Sequence, residues 1–223
     1  GMFSYGKDKQ TARVAGEFYI NAINVMRGAE SVSTYKPIDE SEKFNIEYWE
    51  LEEAKLRRMP KPKPLAGRIA IVTGGARGIG RAYVEALADA GVSVMIVDLL
   101  EEEGSKTAAS IRAKGQKAAF LKVDIANKDA TEAMAKATAD AFGGIDILIN
   151  NASAINLTKT EVTPAKRFDL MFDVNVRGTF LTSQAAIPYL RESAKNGNNP
   201  HILNLAPPLS MKAKWFKNHV AYT

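Results

Sequence analysis

The sequence predicts an α/β fold, a doubly wound parallel sheet with an N-terminal helical extension. From residue 65 onward, short apolar segments alternate with helical segments, a pattern typical of right-handed crossovers in a parallel sheet. Before that point, helical periodicity ends at Met59–Pro64, where three alternating prolines favour an extended spacer. We therefore expect two domains: a helical extension with a proline linker over residues 1–64, and the sheet domain over residues 65–223.

The composition excludes several classes of protein. Among 223 residues, 46% are hydrophobic and 25% are charged, as is ordinary for a soluble globular protein. No apolar run approaches the ~20 residues of a membrane span. The chain has no cysteine, so thiolate metal sites and disulfides are excluded, and a reducing compartment, the cytoplasm, is expected. The net charge of +5 is spread along the chain, which favours solvated loops over nucleic-acid binding. We expect neither a metal site nor a nucleic-acid or membrane partner.

The first 64 residues predict two helices. Apolar residues recur on one helical face over Ala12–Met26, and this helix is expected to end at Gly28. A polar break follows over Ser31–Pro37. The second helix is expected to open at Asp39, with a glutamate three positions on in the capping-box arrangement, and to continue through Leu56. Two short helices bury little alone, so we expect them to pack on a partner subunit or on the main domain.

The first strand of the sheet domain leads into a glycine-rich turn. Residues Arg68–Gly80 read RIAIVTGGARGIG, an apolar strand, the TGxxxGxG spacing and a helix that begins near Ile79. Gly74 permits a sharp turn, Gly78 lets a pyrophosphate approach the backbone, and Gly80 lets the helix lie close to its strand. The helix N-terminus offers N–H groups and partial positive charge to phosphates. This stretch predicts a dinucleotide site.

The second strand, Val92–Asp98, reads VSVMIVD and ends in a carboxylate. A carboxylate at this position can accept hydrogen bonds from the ribose hydroxyls of an adenosine and repels a 2′-phosphate, which favours NAD over NADP. Arg77 leaves NADP open, because an arginine beside the phosphate turn can neutralise a 2′-phosphate. The simpler interpretation of Asp98 is a cap for the next helix.

The remaining elements follow in the same alternation. After the helix from Ile79 to Gly91, the predicted elements are a helix over 101–114, a strand over Ala118–Val123, a helix from Asn127 to Phe142, a strand over Ile145–Ile149, a helix over Pro164–Ala194 and a strand over Ile202–Leu205. Polar or turn residues follow four of the strands: Asp98, Asp124, Asn151 and Ala206–Pro208. Ligands of such sheets bind beyond the carboxyl ends of the strands, so we expect the site at this edge.

These motifs together resemble the short-chain dehydrogenase/reductase family. The resemblance covers roughly Leu65–Thr223 and depends on TGGARGIG at 73–80, the Asp124–Ile125 pair, NNAS at 150–153 and Asn175 in NVRG. It implies a Rossmann-type fold with NAD as cofactor, Asp124 and Ile125 near the adenine, and Asn151 and Ala152 holding the strand that carries the nicotinamide ribose. The expected cofactor-binding residues are Gly74, Arg77, Gly78, Ile79, Gly80, Asp98, Asp124, Ile125, Asn151 and Ala152.

The resemblance also implies the catalytic residues. Tyr222 would be the general acid/base while hydride moves to or from the nicotinamide, and Asn175 would kink its helix and anchor a proton-relay water. Without the family, Tyr222 would be interpreted as an ordinary half-buried tyrosine and Asn175 as a buried asparagine bonded to backbone. Oligomers are a further family expectation, through the helix that contains Asn175 and the one that starts near Tyr222, with a homodimer expected here.

Two features depart from the family pattern. The family has a lysine four residues after the tyrosine, whereas this sequence ends at Thr223, so the sheet is expected to be C-terminally incomplete. Where the family has a serine, the sequence reads Ala206–Pro208, and proline offers neither hydroxyl nor N–H. Ser210 is the nearest hydroxyl and the candidate replacement; the alternative is a loop serine bonded to its own backbone. General acid/base catalysis contributes ~10²–10⁴ in rate, so the absence of the lysine that would activate the tyrosine is expected to lower the rate.

Two finer resemblances differ in what they imply about substrate. Residues from about Tyr5 to Leu65 resemble the junction of bifunctional rhamnulose-phosphate aldolase/alcohol dehydrogenases, which implies small sugar-derived aldehydes. The two histidines, His201 and His219, are too few for the aldolase metal site. The C-terminal part, with PHILNLAPPLSMKAKWFKNHVAYT, resembles the hydroxysteroid-dehydrogenase-like group, which implies steroids or acyl compounds. Both substrate classes stay open, as does a composite sequence.

Two main functional hypotheses follow. The first is an NAD(P)-dependent oxidoreductase of the short-chain type that acts on an alcohol/carbonyl pair. The second is a dinucleotide-binding or assembly module that no longer catalyses. A third and remote hypothesis is an aldolase fragment whose helices dock on another domain. Both main hypotheses predict NAD binding, and turnover separates them.

Overall fold

The structure is a computed structural model, and it describes residues 3–6, 9–58 and 61–206. The chain divides into two compact units, Gly1–Lys61 and Pro62–Thr223. None of the helices in the described ranges is long and apolar enough to cross a membrane.

The described part of the first unit forms three helices: α1 (Lys9–Val32), α2 (Glu40–Glu47) and α3 (Glu50–Arg58). The predicted end of the first helix at Gly28 is wrong, because α1 runs to Val32. The break expected over Ser31–Pro37 is present, but it begins two residues later and lies between Val32 and Glu40. The helix continues, and Ser33 N still donates to Ala29 O at 2.8 Å. A glycine inside a helix costs only ~1 kcal/mol relative to alanine. Gly28 is exposed, and a Cβ built on it would meet no heavy atom within 4 Å. That cost is too small to end a 24-residue helix.

The second predicted helix is two helices, which corrects the single element expected from Asp39 to Leu56. Asp39 does cap α2, since its Oδ1 accepts from Ser41 N at 2.9 Å. The Ser41 hydroxyl and N–H hold the pKa of the Asp39 carboxyl below its usual value. The helix ends at Glu47, and the next residue, Tyr48, has φ and ψ of −102° and 22°. The ring of Tyr48 lies 4.6 Å from that of Phe44. Neither glycine nor proline marks this break, so no local sequence pattern predicts it.

Many apolar side chains of the first unit are exposed, Phe18 at 72% and Val25 at 58% among them. Both belong to the apolar face that predicted α1. The expectation that these helices pack on another domain or subunit stays a prediction.

The second unit contains a five-stranded parallel sheet in the order β3-β2-β1-β4-β5. Its strands are β1 (Ile69–Thr73), β2 (Ser93–Asp98), β3 (Ala118–Lys122), β4 (Ile147–Asn150) and β5 (His201–Asn204). In the register, Ile71 of β1 lies opposite Met95 of β2 and Leu148 of β4. The predicted doubly wound, Rossmann-type fold is confirmed.

Helices cover both faces of this sheet. They are α4 (Gly78–Asp89), α5 (Glu101–Ala113), α6 (Lys128–Phe142), α7 (Ala165–Phe172) and α8 (Thr179–Lys195). Val84 of α4 and Ile111 of α5 pack on one face with Val72, whereas Met134 of α6 packs on the other face with Ile71. Successive residues of one strand, such as Ile71 and Val72, therefore pack in the cores on opposite faces of the sheet. This is why the strands read as continuous apolar runs rather than alternating ones.

The helical stretch predicted over Pro164–Ala194 is present and runs from Ala165 to Lys195, but it is not a single α-helix. A π-helical segment, Asp173–Gly178, separates α7 from α8. Such segments are rare and are frequent at functional sites. A short 3₁₀ turn, Thr160–Val162, precedes α7. The interruption includes Asn175, the residue expected to disturb this helix.

A buried carboxylate joins the amino-terminal ends of the central strands. Asp146 precedes β4, rather than lying within it as predicted, and is only 5% exposed. Its Oδ2 accepts from Ile69 N at 2.8 Å, and its Oδ1 accepts from Asn198 Nδ2 at 3.0 Å and from the Ser193 hydroxyl. Arg68 Nη1 lies 3.9 Å from Oδ1. These bonds fix the start of β1 to the end of α8, at the edge of the sheet opposite the candidate site.

Candidate functional site

A cleft of about 510 Å³ lies at the carboxyl ends of four strands. Its walls come from the segments that follow β1, β2, β3 and β4, with α7 and the π-helical segment adding Leu170 and Val174. The volume is within the range of ~300–1,000 Å³ that is usual for small-molecule sites. All of the expected cofactor-binding residues line it: Gly74, Arg77, Gly78, Ile79, Gly80, Asp98, Asp124, Ile125, Asn151 and Ala152.

The glycine turn forms one wall of the cleft. Gly78 has a φ of +56°, a region that favours glycine, and a Cβ built there would meet no heavy atom within 4 Å. A built Cβ at Gly80 would instead lie 2.1 Å from Gly74 O. The helix α4 therefore packs directly on the turn, as predicted for the third glycine, while open space adjoins the second. The first N–H groups of a helix have no partner within it, so this wall fits a phosphate group.

Asp98 occupies the end of β2 at the edge of the cleft. Its Oδ2 accepts from Ala76 N at 3.0 Å and its Oδ1 accepts from Leu100 N at 3.2 Å. Leu100 is the N-cap residue of α5, so Asp98 is not the cap of the next helix that the simpler interpretation expected. Its carboxylate bonds the N–H of Leu100 and fixes the glycine turn through Ala76. A carboxylate has about four acceptor positions, so two are left for hydroxyl donors such as those of a ribose.

Arg77 lies beside the turn as the residue before α4, and its own side chain does not cap that helix. Its side chain is exposed and lines the same cleft as Asp98. Within the described ranges, no carboxylate forms an ion pair with it. A cation is thus present on the phosphate-compatible wall.

Thr73 connects the two central strands beneath the cleft, and sequence reasoning missed it. Its Oγ1 accepts from Asn151 N and from Ala152 N, both at 3.1 Å, and donates to Ile149 O at 3.3 Å. The Asn151 side chain also bonds to the first strand: its Nδ2 donates to Thr73 O at 3.0 Å and to Gly74 O at 3.1 Å. Asn151 and Ala152 are thereby held against the glycine turn. A polar residue ending an apolar strand was the signal that could have identified Thr73.

Asn175 joins the π-helical segment to the loop after β4. Its Oδ1 accepts from Ala154 N at 2.8 Å, and its Nδ2 donates to Ala154 O at 3.0 Å. The side chain is therefore bonded to backbone, which was the simpler of the two sequence interpretations. One N–H of the amide is still available, so a role in holding a water stays a prediction.

A second buried network, also missed from the sequence, lies behind this loop. Asn150 Nδ2 donates to Ser183 Oγ at 3.0 Å and to Asn204 Oδ1 at 2.8 Å. Its Oδ1 accepts from Thr182 Oγ1 at 2.7 Å. The network ties β4 to α8 and to β5, so it fixes where the chain emerges from β5. Only three-dimensional proximity reveals it, because the partners are far apart in sequence.

The segments that carry the remaining site residues are described in part. Asp124 is exposed, and its Oδ1 accepts from Ala126 N at 3.0 Å, whereas Ile125 is only 6% exposed. Ala206, in the position where the family has a serine, is exposed shortly after β5. Ser210 and Tyr222 lie outside the described residues. Within those residues, no group of three or more His, Asp or Glu side chains could hold a metal ion.

Comparison with known proteins identifies the class. The family model for the short chain dehydrogenase matches residues 68–213, and the chain belongs to that family. Residues 1–56 match a second model, the second domain of class II aldolase. The resemblances of both parts of the sequence are thereby confirmed.

Individual relatives extend the family match. The chain is 46% identical over 172 residues to hydroxysteroid dehydrogenase-like protein 2 of Xenopus tropicalis, and 43% identical over 172 residues to that of Homo sapiens. Each match spans 74% of this chain but 40% of the relative's length. A solved structure of a proposed dehydrogenase from Xanthomonas campestris is 42% identical, with a TM-score of 0.62, over 71% of this chain and 59% of that one.

Proposed function

We propose that this chain binds NAD(H) in the cleft and acts as an oxidoreductase on an alcohol/carbonyl pair. The observation that carries the proposal is Asp98, a carboxylate held at the cleft edge by two backbone N–H groups. Beside it, the wall at Gly78 has room for a pyrophosphate. Together they match the two ends of an adenosine diphosphate moiety, its ribose hydroxyls and its charged phosphates.

The bound cofactor would supply hydride exchange at its nicotinamide ring. The residues of the chain would bind and orient it: Asp98 through the ribose hydroxyls, and the first turn of α4 through the phosphates. Asn151 and Ala152 would keep the central strand end against the turn. NADP is the second candidate, because Arg77 lines the same cleft and could neutralise a 2′-phosphate.

Proton transfer is assigned to Tyr222 by the family resemblance, with Ser210 as the candidate hydroxyl partner. A tyrosine in water titrates near 10, so it needs a nearby positive charge to act at neutral pH. We expect Tyr222→Phe to abolish turnover while leaving cofactor affinity unchanged, as measured by NADH absorbance and by calorimetry. A fully active Tyr222→Phe protein would remove this residue from the mechanism.

A second candidate function is a dinucleotide-binding module without catalysis. Ala206 favours it, because the chain has no hydroxyl where the family carries a serine. The two candidates are separated by measuring NADH binding and turnover on one preparation. Binding by calorimetry together with NADH oxidation supports the oxidoreductase, whereas binding with every substrate inert supports the module. Absence of heat with both NADH and NADPH would overturn both.

The substrates to be tested for turnover are chosen from the proteins that each of the two parts of the chain resembles. The relatives are named hydroxysteroid dehydrogenase-like, which supports steroids and acyl compounds, and the aldolase match supports small sugar-derived aldehydes. The match spans only 40% of the length of these curated relatives. That this chain shares the activity of such a full-length relative is therefore a proposal. A cytoplasmic location and a homodimer belong to the proposal as well.

A further inference from the structure

We propose that Gly178 is a positioning residue for the cleft, because its missing side chain leaves the space that Ile125 occupies in the cleft wall. The inference rests on the proposed function for its effect on cofactor binding. Its structural part concerns two residues that no sequence motif connects. Gly178 ends the π-helical segment, and Ile125 follows β3.

The two residues are in close contact. A Cβ built on Gly178 would lie 2.6 Å from Ile125 Cδ1 and 2.7 Å from Ile125 Cγ1. Real Cβ atoms essentially never approach other heavy atoms so closely. Any side chain at position 178 would therefore displace Ile125 or the helix.

The backbone gives no other reason for a glycine at this position. Gly178 has φ of −60° and ψ of −46°, ordinary helical values. Alanine is the better helix former at such angles, because glycine loses more backbone entropy on folding. The glycine is thus explained by the contact with Ile125.

The π-helical segment is also fixed from its other side, so it cannot simply retreat. Asn175, three residues earlier, makes two hydrogen bonds with the backbone of Ala154. Ala154 lines the cleft in the loop after β4, and Ile125 lines it in the segment after β3. One short segment therefore contacts two walls of the same cleft.

The direction in which Ile125 would move follows from its surroundings. Its side chain is 6% exposed and packs in the core with Val97, Val123 and Met134. Packed cores resist added volume. The open side of Ile125 is the cleft that it lines, so a methyl group at position 178 would push it into the space for the cofactor.

The test is a double-mutant cycle read out by NADH titration. The proteins are the wild type, Gly178→Ala, Ile125→Ala and the double variant. We expect Gly178→Ala to raise the Kd for NADH about tenfold. The free-energy cost that is typical of one extra methyl group in a packed core corresponds to a change in Kd of about this size. In the Ile125→Ala background the same change should alter the Kd by less than about twofold, since the displaced atoms are gone. Equal effects in both backgrounds, or an unchanged Kd for Gly178→Ala, would overturn the proposal.

Gly28→Ala is the matched control. It adds the same methyl group to a helix, but in open space, and should leave the Kd unchanged. A Kd raised by Gly28→Ala as well would overturn the assignment of the effect to Ile125. If Gly178→Ala alone fails to fold, the double variant should fold, and its failure would also contradict the proposal.

A second readout needs no cofactor. The Ile125 δ1 methyl resonance, observed by NMR in the free protein, should shift in Gly178→Ala and not in Gly28→Ala. A wild type that binds neither NADH nor NADPH would overturn the proposed function, and the methyl resonance would then decide the contact by itself. An unmoved resonance in Gly178→Ala would overturn the positioning role.

Discussion

The carboxylate of Asp98 serves the fold and the proposed site at once. Both of its oxygens already accept backbone N–H groups, from Ala76 and Leu100. Its removal would therefore disturb the glycine turn as well as any ribose contact. A useful substitution must keep the shape and one acceptor while changing the charge.

We expect Asp98→Asn to change the cofactor preference. The amide keeps an acceptor for one backbone N–H but no longer repels a 2′-phosphate, so the ratio of NADH to NADPH affinity should fall about tenfold or more. Competition calorimetry measures that ratio. Glu103→Gln, in the first turn of α5 and outside the cleft lining, is the control for lost charge. An unchanged ratio in Asp98→Asn would remove Asp98 from ribose recognition.

The Asn175 side chain is expected to stabilise the loop after β4. Asn175→Leu leaves the backbone N–H and C=O of Ala154 without their partners, and partly buried groups left unpaired cost ~1–3 kcal/mol each. The free energy of unfolding should fall by about 2 kcal/mol or more in urea titrations. Asn24→Ala, on the exposed surface of α1, should leave it nearly unchanged. Equal stability of the wild type and Asn175→Leu would contradict this role.

Among single residues, the cleft residues that could be predicted from the sequence are those whose type is chemically distinctive. The glycines, Asp98 and Asn151 line the cleft because their spacing relative to strands is set by the fold. Thr73 and the Asn150 network were missed, because a buried polar residue is recognisable only from its partners. Leu99, Leu100, Leu170 and Val174 also line the cleft, and apolar residues carry no such signal.

Among elements, strands and capped helices were predictable from local sequence patterns, whereas helix interruptions were not. Only the family resemblance implied that Asn175 disturbs its helix, and the π-helical segment includes that residue. The strands of the sheet are buried on both faces, so their apolar runs are unambiguous. Asn127 marked the start of α6, and its Oδ1 does accept from Ala130 N at 3.0 Å. The break at Tyr48 and the π-helical segment have no glycine or proline at their start. The ring contact of Phe44 with Tyr48 adjoins the first, and the bonds of Asn175 with Ala154 adjoin the second; such contacts are not local sequence patterns.

Asp146 is expected to be the strongest single link between elements of the second unit. Asp146→Ala would leave Ile69 N and the Ser193 hydroxyl without an acceptor and Arg68 without its charge partner. Losing a buried, hydrogen-bonded charge typically costs ~3–5 kcal/mol. Since Arg68 is partly exposed, we expect about 2–4 kcal/mol of lost unfolding free energy in urea.

The control for Asp146 is Glu132→Ala on α6. It breaks an exposed ion pair with Lys128, and such pairs contribute less than ~1 kcal/mol. A similar loss in both variants would mean that the buried position of Asp146 has no special role. NADH affinity of folded Asp146→Ala should stay near that of the wild type, because Asp146 lies at the opposite edge of the sheet.

At the level of the whole molecule, all of the described residues that line the cleft belong to the second unit. We therefore expect residues 62–223, produced alone, to bind NADH with a Kd within about twofold of that of the full chain. A twofold change in Kd corresponds to a binding free-energy difference smaller than about RT. Circular dichroism verifies the fold and calorimetry gives the Kd. Folded 62–223 without affinity would show that the first unit contributes to the site, against this expectation.

Self-association, as proposed, needs a surface, and the helix that contains Asn175 offers one. Phe168, Phe172, Val176 and Phe180 recur every fourth residue from α7 into α8, and all are exposed. The rings of Phe168 and Phe172 stack at 4.4 Å. Contiguous exposed apolar patches mark interaction sites more often than free surface. A second copy of the chain would bury this patch against its equivalent, since dimer interfaces pair the same surface twice.

We expect Phe180→Glu to convert a dimer into a monomer, because a desolvated carboxylate without a partner is costly at the centre of an apolar contact. Sedimentation velocity at several concentrations measures the change. Ile20→Glu, on the exposed surface of α1, places the same charge on the other unit and should leave the dimer intact. If Ile20→Glu alone dissociates it, self-association occurs through α1, and the apolar patch on α7 and α8 needs another explanation. A wild type that is monomeric at every concentration would contradict the homodimer itself.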